Sequence, residues 1–198
     1  NGGGMVNENS SNPSLTNIRI RNTSSSVRTG SKGIELKNLA YATLDDDTIE
    51  GYIYGVWIEN TLPTVSAPEI KNSTLRFADS TLYPDATGIY SLGKVQGSVH
   101  HNLVDGYSLG TSLFGQNATA YTNNHYLNCH TGFRVEGASA NPNLSYNVLR
   151  KSGTAALPLL SAFSLVNTTS LSVRNNTIYG YQSGISALAA GCDFTQNI

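Results

Sequence analysis

Two columns of residues keep step along this chain, and any fold must honour both. Asn102 and Asn124 stand 22 residues apart, as do Gly110 and Gly132, and each asparagine precedes its glycine by 8 residues. A unit this short, built of brief apolar runs and turn residues, must stack on its neighbours to bury a core, which makes a solenoid. The glycine column runs Gly33, Gly55, Gly88, Gly110, Gly132, Ala162 in glycine's place, and Gly184. Two longer intervals, Gly55 to Gly88 and Gly132 to Ala162, predict insertions over 60–78 and 151–161 that bulge as loops. The polar column is predicted as Ser25, Asp47, Ser80, Asn102, Asn124, Asn147 and Asn176, each with an apolar residue two positions later.

The first and third residues after the glycine are mostly branched or aromatic. Examples are Ile34 with Leu36, Val56 with Ile58 and Phe133 with Val135. Alternation over so few residues is the pattern of a strand with one buried face, and helical spacing nowhere lasts beyond a turn. The chain is therefore predicted to be all-β, a parallel solenoid with about 22 residues per coil and coils about 4.8 Å apart. Its interior is predicted to hold Ile34, Leu36, Val56, Ile58, Ile89, Leu113, Phe133, Val135, Phe163, Leu165 and Ile185. A recurring asparagine at one corner can bond its counterparts above and below in an amide ladder. Asparagine also tolerates the left-handed backbone of a tight corner.

The motif Gly-apolar-x-apolar, followed about 14 residues later by Asn-x-apolar, resembles the right-handed parallel β-helix repeat of the pectin-lyase-like superfamily. That group includes pectate lyases, polygalacturonases, alginate epimerases, NosD-like periplasmic proteins and bacteriophage tail spikes. The resemblance covers roughly residues 27–198 and implies a right-handed parallel β-helix. It does not imply one chemistry, since the fold hosts many. The enzyme motifs do not carry over: Gly-His-Gly and Asp-Pro-His are absent, and no acidic cluster stands in step beside Arg134 or Arg150. No catalytic residue is assigned.

Counted from the glycine, the second and fourth positions are predicted to face outward. The second holds Glu35, Trp57, Tyr90, Ser112, Arg134, Ser164 and Ser186; the fourth holds Lys37, Glu59, Leu92, Phe114, Glu136, Val166 and Leu188. Trp57, Tyr90 and Arg134 with Glu35, Glu59 and Glu136 suit a sugar, through aromatic faces on a pyranose and charged groups on hydroxyls or a uronate. The apolar members Leu92, Phe114, Val166 and Leu188 equally suit a surface covered by loops or a partner chain.

The run Asp45, Asp46, Asp47 reads as a solvated acidic turn, with Asp47 in the polar column and a calcium or carboxylate-pair role as the alternative. His100, His101, His125 and His130 fall at different phases of the repeat, and no metal site is predicted, since ligands must converge at about 2 Å. Cys129 and Cys192 lie at different phases too and read as buried, unpaired thiols.

Charged residues are 13% of the chain and the net charge is −1, which speaks against a nucleic-acid surface. An exterior of Asn, Ser, Thr, Gly and Tyr, with seven Asn-x-Ser/Thr sequons, points to an extracellular or virion-surface protein without membrane insertion. Residues 1–14 are expected as a flexible lead-in or a strand borrowed by a neighbour, and 15–198 as the β-helix. The expected function is a carbohydrate-recognition module, tail-spike-like, needing no cofactor. The alternatives are a polysaccharide lyase or glycoside hydrolase, and a stacking module of a fibre or trimer. Open solenoid ends need caps, so a homo-oligomer or a longer native chain is also expected.

Overall fold

The computed structural model describes residues 4–8, 12–23, 27, 29–38, 41–78, 82–137, 141–152, 161–188 and 190–198. Among them are 23 strands and no helix. Each full coil gives one strand to each of three parallel sheets, which contain eight, eight and seven strands. In one coil these are Leu109–Phe114 in the first sheet, Ala120–Thr122 in the second and His125–Leu127 in the third. The predicted interior residues are all buried except Ile185, which packs half-buried against the core. Phe133 and Phe163 stack across neighbouring coils at 5.3 Å with a 2° interplanar angle.

The glycine column is a packing requirement. A methyl group added to Gly88 would come within 2.4 Å of Val104 Cγ1 and 2.6 Å of the Gly110 carbonyl oxygen. The strand pairing skips this position: Thr87 pairs with Tyr54 and Ile89 with Val56. The glycine and its successor therefore both face inward, and the residue before the glycine turns outward. Strict alternation would have put Lys32 and Tyr54 inside; instead both meet Trp57 on the exterior.

The polar column forms the ladder that its chemistry suggests. Asn124 Oδ1 accepts from the Asn102 backbone N–H and Nδ2, both at 3.0 Å, and Asn147 and Asn176 repeat the pattern. Asn197 adds a further rung through Asn176. One expected member is corrected: the rung is Ser73, whose N–H donates to Asn102 Oδ1 at 2.9 Å, while Ser80 lies outside the described residues. Leu82, its expected apolar companion, is exposed, and Leu75 fills that place in the core. The eight-residue offset fails here because extra chain separates the third-sheet strand Thr74–Arg76 from Thr87–Gly93. The expected loop 60–78 is likewise redistributed, since Glu69–Lys71 and Thr74–Arg76 are regular strands within it. In the first coil the rung is Ile18, whose N–H donates to Asp47 Oδ1 at 2.8 Å; Ser25 lies outside the described residues.

The left-handed corner falls one residue before the rung, not on it. Asn17, Asp46, Asn72, His101, Asn123, Tyr146, Asn175 and Gln196 have φ between 53° and 58°. Asn and Asp tolerate this region best, but position, not residue type, decides it, since Tyr146 and His101 adopt it too. The expected lead-in also differs: Met5–Glu8 is a first-sheet strand paired with Lys32–Lys37, and the second sheet starts at Ser14. Most of the predicted insertion at 151–161 lies outside the described residues.

Candidate functional site

The outer face of the first sheet gathers the residues selected from sequence. Glu35, Trp57, Tyr90, Ser112 and Arg134 occupy consecutive positions of one register column. Lys37, Glu59, Leu92, Phe114 and Glu136 form the column beside it. Trp57 and Tyr90 stack at 4.0 Å and 17°, and Tyr54 meets both edge-on. Phe114 lies 5.4 Å from Tyr90, and the Arg134 guanidinium stands 5.9 Å from Phe114. Lys32 Nζ is 4.0 Å from the Trp57 ring centroid. The result is a strip running along the solenoid axis from Lys32 to Arg134.

The aromatic faces are turned differently from the expected sugar platform. Lys32 comes from the coil before Trp57 and Tyr90 from the coil after, so both faces of the indole are occupied within the strip. Trp57, Tyr54 and Tyr90 are each half-buried, so only part of each side chain reaches solvent. Desolvation raises both phenol pKa values, which keeps these hydroxyls protonated as donors.

The charged groups are paired with one another. Glu35 accepts from Lys32 and lies 3.4 Å from Lys37, Glu136 accepts from Arg134 at 2.7 Å, and Glu59 accepts from the Trp57 indole N–H at 3.1 Å. Glu35 and Ser112, predicted to project outward, are only 8% and 1% exposed. The two lysines close over Glu35, and Ser112 lies between the larger Tyr90 and Arg134. Trp57, Tyr90, Arg134, Glu59 and Glu136 remain half-buried.

Elsewhere the sequence candidates scatter. Asp45 takes Asn72 Nδ2 at 2.8 Å, Asp46 is the left-handed corner, and Asp47 is buried in the ladder, so the acidic run is not solvated throughout. His100 and His101 approach at 2.9 Å through their Nδ1 atoms, and His100 Nε2 lies 3.3 Å from Glu69. Among the described residues no three His, Cys, Asp or Glu side chains assemble a metal site. Cys129 is buried, which pushes its thiol up to about 12, while Cys192 is only half-buried, contrary to the expectation for it; both are free. The sequon residue Asn117 is fully buried and donates to Ser91 Oγ at 2.6 Å, which leaves it no room for a glycan.

Stacked parallel coils, a single amide ladder and an inward glycine column define a β-helix. The family model described as right handed beta helix region matches residues 3–178, and the chain belongs to that family. Comparison with curated proteins and with solved structures finds no match.

Proposed function

We propose that this β-helix is a carbohydrate-recognition module of an extracellular or virion-surface protein, with the outer strip of the first sheet as its glycan-contacting face. The observation that carries this reading is the convergence of Trp57, Tyr90, Phe114 and Arg134 with the half-buried carboxylates Glu59 and Glu136 on one continuous surface. Aromatic edges and stems supply apolar contact, while carboxylates and phenols supply acceptors and donors for hydroxyls. Because each carboxylate is already held by a donor on the strip, the geometry favours binding over acid–base catalysis. Preorganised side chains lose little freedom when a ligand arrives.

The test is a panel of bacterial capsular and plant polysaccharides, scored for binding, for new reducing ends and for unsaturated uronate absorbance. Binding without cleavage is expected, with Trp57→Ala and Arg134→Ala each weakening it about tenfold. Unchanged binding by both variants removes the strip from the interaction. Cleavage products would instead favour a lyase or hydrolase.

A second reading has its own support. Leu92, Phe114, Val166 and Leu188 make the column beside Trp57 and Tyr90 largely apolar, interrupted by Glu136, with Leu188 67% exposed, and such a column suits lateral contact with another copy.

A further inference from the structure

A groove of about 610 Å3 runs beside the third sheet, away from the aromatic strip, and Glu50, Arg76, Asp105, Asn128, His130 and Lys151 help to line it. Its size is that of a small-molecule site. Most of its charges are balanced by position, because Arg21, Glu50, Arg76 and Asp105 follow one another in register on adjacent strands and alternate in sign.

Lys151 breaks that balance. It is 5% exposed, yet its ammonium makes one long contact, 3.4 Å to the Asn128 carbonyl oxygen, and no carboxylate pairs with it among the described residues. The other described lysines differ: Lys32 and Lys37 share Glu35, Lys71 donates to Glu69 at 3.0 Å, and Lys94, which donates to the Pro63 carbonyl, is exposed to water. A buried ammonium without a counter-charge is costly unless something supplies one. Desolvation lowers the pKa of Lys151, and desolvation together with the Lys151 charge lowers that of His130.

We propose that this groove binds an oxyanionic group, such as a carboxylate or phosphate, carried by a small ligand, with the Lys151 ammonium as its charge partner and His130 at its side. A charge-assisted bond to an oxyanion would give Lys151 a partner that no described carboxylate supplies. Asp105, in the same groove, acts against the anion, so its charge tunes the affinity.

Titration calorimetry with sodium glucuronate, inorganic phosphate and glucose, at matched ionic strength, tests this. Saturable binding of glucuronate or phosphate but not glucose is expected, weakened at least tenfold in Lys151→Met and strengthened severalfold in Asp105→Asn. Binding of both anions assigns recognition to the charge alone, and binding of glucuronate alone adds the sugar ring to it. Trp57→Ala should leave this binding intact, since that residue lies on the other face. Equal binding of glucose and glucuronate, no saturation with either anion, or indifference to both groove variants overturns the proposal. Should Lys151→Met fail to fold, Asp105→Asn still decides.

Discussion

Asp47 shows how much one atom matters in the ladder. In the asparagine rungs Nδ2 donates to a carbonyl in the second-sheet strand of the preceding coil: Asn102 to Ile70, Asn124 to Val99 and Asn147 to Tyr121. By register the equivalent carbonyl for Asp47 is that of Leu15, and there Asp47 offers Oδ2, a buried oxygen with no partner. Desolvation raises the Asp47 pKa against the lowering effect of the Ile18 N–H, and Asp45 and Asp46 add to the rise. Asp47→Asn should therefore stabilise the protein by about 1 to 3 kcal/mol at neutral pH. Because the folded-state pKa is the higher one, the native carboxyl binds its proton more readily, and stability falls as pH rises from the unfolded towards the folded value. The advantage of asparagine should thus shrink as pH drops through that window, measurable by denaturant unfolding across pH. An advantage that persists unchanged at acid pH contradicts the assignment. The sequence marked Asp47 as a rung from its spacing alone, but the unpaired oxygen became visible only once Leu15 was placed opposite it.

At the scale of the strand, the inner columns carry the stability. Phe133 is fully buried, stacks on Phe163 and touches Tyr121 and Tyr126 at ring-centroid distances of 5.8 and 4.6 Å. Phe133→Ala should cost about 3 to 5 kcal/mol, read as a lower denaturant midpoint; a change below about 1 kcal/mol would mean that the site collapses freely. Such positions were legible because period-2 burial and the glycine spacing specify them twice over. The outer face was less so. Lys32 and Tyr54 escaped notice because the glycine breaks alternation, and the covering of Glu35 depends on lysines whose direction no spacing reports. The eight-residue offset of intact coils misses Ser73 because extra chain follows the third strand of that coil. Spacing marks Tyr126 as the apolar companion of Asn124, but the buried Tyr107 and Tyr121 carry no such mark, since a tyrosine in a turn or short strand reads equally well as surface.

For the molecule as a whole, contacts run almost entirely between adjacent coils, so the effect of a substitution should stay near its own coil. Surface changes can then probe association without unfolding the stack. If the apolar column mediates lateral contact, Leu188→Asp should lower the mass seen by sedimentation at micromolar concentration while leaving thermal stability intact. An unaltered mass distribution speaks against that contact. The three edges of the solenoid also differ in their freedom. Between second and third sheets every one of the seven connections has two residues, from Thr16 to Arg19 through Arg174 to Thr177. The other two connections vary in length from coil to coil and are long after Asn60 and after Arg76. One edge thus behaves as a spine of fixed pitch, where an inserted residue would push its own rung out of line with the rungs above and below. The other two tolerate embroidery. Grafted peptides, tags or new recognition loops should therefore be accommodated along the margins of the first sheet and rejected at the asparagine corner.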